Sequence, residues 1–366
     1  MTKAPSFDAA CAEVPALLEQ GEFRFRPGEV EAYERFGRGH QLRFVVTGIG
    51  GSESPARSIG AALRAGGLWA EYHPLSAFLE GNRELHRAQP VEPGRCLIVV
   101  SQGLSPNAQL ALGERANYAI TVLVTSRPGK GSELEQRLAS LASDGVIVVP
   151  TQVPSEPRAL VRMAGPACLA AAGELVVREL SSVLFGQRGL APEQGVASQS
   201  FSLGRAYASA FERALPLAMS CARGRSLAAV VVTEPLGELI QADLWKWREA
   251  LGEEPPPVFD GFSFVHGPLQ TLTETDGPVL IVSRATAAAH ALSARLQHCL
   301  RGIRHATLEF ELTAAREHAW FEINALFSRW VLVLARERER NLGEWRGTAT
   351  DAPVYSLHSR QALESS

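Results

Sequence analysis

Short β-branched runs recur along this chain, and each feeds a helix-length segment through a turn of small residues. LRFVVTGIG (42–50) passes through GGSESP into ARSIGAALRAGG, and CLIVVSQ (96–102) passes through GLS into PNAQLALGERA. YAITVLVTS (118–126) is followed by the turn and helix RPGKGSELEQRLASL, and then by DGVIVVPTQ. Continuous apolar runs of this length suit strands covered on both faces. Strands separated by helices must pair in parallel, which predicts a three-layer α/β/α sandwich.

The same pattern returns after a mostly helical stretch from Pro157 to about Cys221, which is broken by the polar segment 186–198. SLAAVVVTEP, GPVLIVSRAT and RHATLEFEL read as strands. LGELIQADLWKWREAL, AAAHALSARLQHCL and AWFEINALFSRWVLVLARERE read as helices, and EEPPPVFDGFSFVHGPLQTL reads as a long irregular loop. The first forty residues read as helical, with a break at Pro27-Gly28. The division expected is an N-terminal helical segment (1–38), a first α/β domain (39–178), a helical connection (179–222), a second α/β domain (223–340) and a tail (341–366).

A chain of 366 residues is long enough for two such domains. Its 36 basic and 39 acidic residues nearly cancel, so nothing points to nucleic acid or an anionic membrane as a partner. No segment approaches the roughly 20 uninterrupted apolar residues of a membrane span. Cys11, Cys96, Cys168, Cys221 and Cys299 are scattered and mostly set in apolar runs, as reduced thiols are. The expectation is a soluble cytoplasmic protein with no metal and no organic cofactor. His290 and His298 share a helix but form no metal set.

Ligands of open parallel sheets bind beyond the carboxyl ends of the strands. The turns that matter are therefore GIGGSES, SQGLSPN and TEPLGEL. In the second, Pro106 marks a helix start, and the small polar residues before it place N–H groups and hydroxyls at a helix N-terminus, a place suited to an anion. Taken alone, the stretch is equally an ordinary strand-to-helix connection with a capping serine.

At these residues the chain resembles the sugar isomerase (SIS) family, and in particular double-domain members such as the isomerase half of glucosamine-6-phosphate synthase. GIGGSES is similar to the family's glycine-rich turn after the first strand, and VVSQGLSPNA to its Ser-Gln-Ser-Gly-Glu-Thr phosphate loop. DLWKWRE resembles the Leu-Lys-Leu-Lys-Glu helix of the second domain, and FSFVHGPLQ the His-Gly-Pro loop that follows it. The likeness spans roughly residues 10 to 345. It implies a five-stranded parallel sheet in each domain, and a homodimer whose active site takes residues from both subunits. The synthase's glutamine-hydrolysing domain has no counterpart.

Carried over residue by residue, the resemblance implies that Glu249 is the base that moves a proton between adjacent carbons, a task suited to a carboxylate on a rigid helix. Lys246, one turn earlier on the same helix face, would steady a developing enediolate, or else form an i, i+3 pair with Glu249. His266, before Gly267-Pro268, would open the sugar ring. Gly50, Gly51, Ser52, Ser101 and Gln102 match the family's phosphate contacts. Its second loop serine is Gly103 here, its glutamate Ser105 and its threonine Pro106. Two hydroxyl donors are thus lost, and Ser105 and Asn107 are what remains to replace them. In the tail, Asn341 matches the family's C-terminal stretch, whereas Glu344 stands where the synthase has a catalytic lysine. The TEPLGEL turn lacks the glycines of a phosphate loop.

The expected function is an enzyme that acts on a sugar-phosphate or amino-sugar-phosphate derivative. Aldose–ketose isomerisation, deamination and deglycation all run through an enediol or enolamine. The alternative is a carbohydrate-derivative-binding sensor without catalysis.

Overall fold

The computed structural model describes residues 6–37, 42–88, 94–157, 161–185, 195–211, 227–272, 277–315, 318–343, 350 and 352–359. The chain divides into two compact units, one of Met1–Ser198 with Gly343–Ser366, the other of Gln199–Leu342.

The first unit begins with helices α1 (Phe7–Gln20) and α2 (Pro27–Gly37). Pro27, read from sequence as a break, is instead the first residue of α2, where its missing N–H has no intrahelical partner to lose. Strand β1 (Arg43–Gly48) leads to α3 (Glu53–Ala65), β2 (Trp69–Tyr72) to α4 (Leu75–Ala88), and β3 (Arg95–Val100) to α5 (Pro106–Gly113). Then come β4 (Ile120–Ser126), α6 (Glu133–Ser143), β5 (Ile147–Thr151) and the long α7 (Gly165–Phe185). The five strands are parallel, in the order β2-β1-β3-β4-β5. Alternate strand residues face opposite layers, which is why the runs are apolar throughout. Phe44, Ile98 and Val122 join Ile59, Leu63, Leu169 and Val176 of α3 and α7 on one face. Val45, Leu97 and Leu123 join Ala108, Leu112 and Leu138 of α5 and α6 on the other.

Helix α8 (Val196–Phe211) begins in the first unit and continues into the second. There β6 (Ala229–Val232) is followed by two short helices, α9 (Gly237–Asp243) and α10 (Trp245–Leu251), which divide at Leu244 what reads as one helix in the sequence. The segment expected to be irregular contains β7 (Val258–Asp260), α11 (Gly261–Phe264) and α12 (Pro268–Thr271). Next are β8 (Val279–Arg284), α13 (Ala287–Gly302), β9 (Thr307–Leu312) and α14 (Ala319–Glu337).

This sheet is parallel in the order β7-β6-β8-β9, so among the described residues the second unit has four strands where the family likeness implied five. The reason is chain length. After β9 only residues 313–318 precede α14, whereas a parallel crossover needs a dozen residues or more. Strand β9 is therefore an edge, and it carries charge as edges do. Leu308, Phe310 and Leu312 are buried, while Glu309 accepts from Ser293 and Gln297, and Glu311 meets His290, all on α13.

Helix α14 is apolar nearly all round and buried accordingly, with Trp320, Phe321, Phe327 and Trp330 inaccessible. Glu322 holds its entry, accepting from the N–H of Thr313 (3.0 Å), the Thr313 hydroxyl (2.6 Å) and the N–H of Ala314 (2.8 Å). Gly204 lets α8 approach this helix, since a Cβ there would lie 2.3 Å from the Glu322 carbonyl oxygen. Among the described residues no helix is long and apolar enough to cross a membrane.

The contact at Gly204 is testable. Gly204→Ala forces α8 off α14 and should cost about 1–3 kcal/mol, read as a lower urea midpoint. Gly113→Ala, whose added methyl meets nothing within 4 Å, should leave the midpoint unchanged or raise it.

Candidate functional site

In the first unit the turn after β1 folds back on itself at Gly48, where a Cβ would sit 2.3 Å from the Ser52 carbonyl oxygen. Gly50 then takes a φ of 56°, which glycine adopts without strain. This delivers Ser52, buried, to the neighbouring turn after β3. Its Oγ accepts the Gln102 N–H at 3.3 Å, tying the two turns together. Ser101 Oγ accepts the Ser105 N–H, and Ser105 Oγ caps α5 by accepting the Ala108 N–H, each at 3.3 Å. A hydroxyl that accepts still has its own hydrogen to give. Ser52, Ser101 and Ser105 thus retain donors on neighbouring turns of one sheet end.

Gln102 is fixed from below, its carbonyl oxygen accepting the N–H and hydroxyl of Ser126. Its side chain lies against Gly165 at the start of α7, where a Cβ would come 2.3 Å from Oε1. Gly103 is exposed, and a Cβ there meets nothing within 4 Å, so the lost serine left space that nothing else fills. Asn107 is buried and committed elsewhere. Its Nδ2 donates to the carbonyls of Val354 and Leu357, both at 3.0 Å, and so holds the short C-terminal helix α15 (Ala352–Tyr355).

Sequence reasoning missed two residues beside these turns. Glu156 accepts the N–H groups of Met163 (2.7 Å), Ala164 (2.8 Å) and Gly165 (3.1 Å), so a carboxylate of the chain itself already occupies the positive end of α7. Arg162 lies next to it, its Cβ and Cγ 3.6 and 3.7 Å from the position of a Cβ on Gly51. It has no acidic partner among the described residues. Nothing in the local pattern of EPRALVRMAG marks this arginine; only the fold brings it to the glycine turn.

In the second unit the turn after β6 is closed by the chain. Thr233 donates its N–H to the Val282 carbonyl (3.1 Å), and Glu234 pairs with Arg284 at 3.2 Å, so the cation at this sheet end is already neutralised. Lys246 is buried on α10. Its Nζ donates to both Asp243 oxygens (2.9 and 3.1 Å) and to Ser328 Oγ (2.9 Å), and Asp243 Oδ1 also accepts from Asn324 Nδ2 at 2.7 Å. The i, i+3 partner of this lysine is thus Asp243, which the sequence reading did not single out, and all three ammonium donors are spent.

Glu249, half-buried on the same helix, receives no hydrogen bond among the described residues. Burial pushes its carboxyl up to about 7, with Lys246 pulling weakly the other way. Gly252, with a φ of 66°, ends the helix by donating its N–H to Arg248. His266 is exposed beyond the carboxyl end of β7. Asp260 caps α11 ahead of it, accepting from Phe262 and Ser263, while Gly267 (φ 139°) and Pro268 set the turn behind it. Asn341 is exposed just past the end of α14, three residues after Arg338, which pairs with Glu253 in the loop following α10. Glu344 lies outside the described residues. Among the described residues no three His, Cys, Asp or Glu side chains converge as a metal site requires.

No protein-family model matches this sequence, and no curated protein matches it significantly. Solved structures do match in fold. One is the C-terminal domain of glucosamine-fructose-6-phosphate aminotransferase from Francisella tularensis, with a TM-score of 0.66 and 11% identity over 94% of this chain and 99% of that one. Another is tagatose-6-phosphate ketose/aldose isomerase from Escherichia coli, with a TM-score of 0.60 and 12% identity over 93% and 92%. A third is a glucose-6-phosphate isomerase from Chlamydia trachomatis, with a TM-score of 0.59 and 13% identity over 93% and 76%. At such identities the likeness shows the fold alone: this chain shares the architecture of these structures.

Proposed function

We propose that this chain is a phosphosugar-isomerase-like enzyme acting on a sugar-phosphate or amino-sugar-phosphate derivative by proton transfer between adjacent carbons. The observation that carries the reading is Glu249. A half-buried carboxyl with no donor to hold its charge, titrating near neutrality, is matched to general-base work at neutral pH. Structural exposure alone would leave a helical glutamate near its ordinary value.

In this reading the turns of the first unit carry groups suited to an anion, and the second unit carries groups suited to proton transfer. The hydroxyls of Ser52, Ser101 and Ser105, the Gln102 amide and the backbone at Gly50 and Gly51 meet the anion. Arg162 contributes a positive charge beside the loop that has lost two hydroxyl donors, and Asn107 serves through the tail it holds. His266 exchanges the proton that opens the ring. Glu249 then takes a proton from the carbon next to the carbonyl, leaving an enediol or, for an amino sugar, an enolamine. Return of that proton to the neighbouring carbon completes isomerisation. If an imine forms instead, addition of water expels the amine. Lys246 does not face the substrate in this scheme; paired with Asp243, it tempers the Glu249 carboxyl without ionising it outright. Two of the structures similar in fold are named as isomerases of phosphorylated sugars. The active form is a cytoplasmic homodimer, which light scattering would register at twice the 39.4 kDa chain mass.

A second reading, a sensor that binds a sugar derivative without turning it over, is favoured by the spent Lys246 and the missing loop hydroxyls. The discriminating measurement is turnover across a panel of sugar, amino-sugar and sugar-amine phosphates beside the melting shift each one causes. Shifts without product at any pH select the sensor.

For the enzyme, kcat/KM should rise with pH through about 7 as Glu249 ionises. Glu249→Gln should cut turnover by about 10²–10⁴ and abolish that limb. Turnover that survives the substitution disproves the mechanism. The same group has a signature in stability. Its folded-state pKa lies above the ordinary 4.5, so the folded protein holds this proton more tightly than the unfolded chain does. Ionising it costs stability that is fully felt above pH 7 and absent below pH 4.5. Glu249→Gln should therefore stabilise at pH 8, by at most about 3 kcal/mol, and leave stability at pH 4 unchanged. For the anion grip, Gly103→Ser places a hydroxyl in open space and should tighten a hexose 6-phosphate about tenfold by calorimetry. Arg162→Ala should weaken the same ligand by about tenfold or more.

A further inference from the structure

The first unit carries a cavity of about 350 Å³ between α5, α6 and the last described segment of the chain. Leu104, Leu112 and Leu141 line it beside the polar Gln109 and Ser140, together with Arg115, Arg137 and His358. None of these belongs to the residues assigned above to anion binding or proton transfer. The volume lies within the roughly 300–1,000 Å³ typical of small-molecule sites.

The charges in this lining are only partly met. Arg115 donates Nη1 to the Leu112 carbonyl (3.3 Å) and Nη2 to Asp144 (3.1 Å), which fixes its plane and leaves its other N–H groups to bind. Arg137 has Glu133 at 3.9 Å, with that carboxylate 86% exposed, a loose surface pair that water screens. Leucines beside two guanidinium groups in one cavity suit a small organic anion with an apolar body and a carboxylate, phosphate or sulfonate at one end.

The tail completes the wall. Asn107, through its two bonds to the Val354 and Leu357 carbonyls, sets His358 in the lining. Leu104 connects the wall to the anion turn. It is buried, follows Gly103 directly and has a φ of 51°, a left-handed conformation that costs a leucine energy and persists only where its surroundings enforce it. A ligand against Leu104 braces that conformation, and with it the Ser105 N–H bonded to Ser101 Oγ.

We propose that this cavity is a second binding site, for a small organic anion with an apolar body, and that its occupant stiffens the turn at Ser101–Ser105. The site itself is independent of the reaction proposed above, so failure of one leaves the other standing. The probe is 8-anilinonaphthalene-1-sulfonate, an organic anion of this shape, followed by calorimetry and by hydrogen exchange of the full chain. Wild type should bind about one equivalent. Arg137→Ala should weaken it about tenfold, and Leu141→Trp, which fills the cavity with an indole, should remove that equivalent. Both changes lie on a half-exposed helix face, and melting curves confirm the fold. Bound probe should slow exchange in the peptide containing Ser105 in wild type but not in Leu141→Trp. Binding that neither variant alters, absence of binding to wild type, or unchanged exchange at that peptide each overturns the proposal.

Discussion

A parallel sheet covered on both faces leaves one place for chemistry: the turns beyond the ends of its strands. Inside β1, β3 and β4 the backbone pairs with neighbouring strands, and the apolar side chains pack into the layers of helices. What the first unit offers a ligand is therefore concentrated at Gly48–Ser52 and Ser101–Asn107. These turns stay close because a hydroxyl links them and because Gly48 and Gly165 let backbone and side chain approach to distances that a methyl group would forbid. The hydroxyls at this end are held in place before any ligand arrives. Such preorganisation favours an anion, since little ordering remains to be done on binding.

The second unit solves a different electrostatic problem. A lysine beside a carboxyl would ordinarily hold that carboxyl ionised, far below neutrality. Here Asp243 absorbs the lysine's charge within a buried group that includes Ser328 and Asn324, and Glu249 is left to its own burial. The arrangement keeps a positive charge near the base without letting it dominate. Removing either partner would strand an uncompensated charge in the interior, so the pair is bound to be kept together or lost together.

Much of this architecture is legible in the sequence, and what is not has physical causes. The strands of the first unit announce themselves because burial on both faces forces unbroken apolar runs, as in Cys96–Val100 and Val122–Val124. Strand β7 does not, because three residues behind three prolines look like a loop until β6 pairs with them. The missing fifth strand was expected from kinship, yet the six residues between β9 and α14 deny it room. Ser52, Ser101 and Gln102 can be found because small polar residues and glycines between a strand and a helix have a recognisable composition. Arg162, Glu156 and Asp243 cannot, since their roles arise from neighbours distant in sequence or from a competition between two carboxylates for one lysine. Asn107 shows the converse: a residue suited by type to an anion is claimed by the tail, and only the fold says so.

The two units share a topology and have diverged at corresponding places. After β1 the chain keeps glycines and the Ser52 hydroxyl, which accepts from Gln102, whereas the turn after β6 carries Thr233 and the Glu234–Arg284 pair. An ion pair of that kind neutralises the cation at this sheet end with a carboxylate of the chain itself. In the first unit Glu156 is met by three backbone N–H groups. The turns of the first unit thus hold hydroxyls that still have hydrogens to give, while the second unit holds a half-buried carboxyl, Glu249, that burial pushes up to about 7.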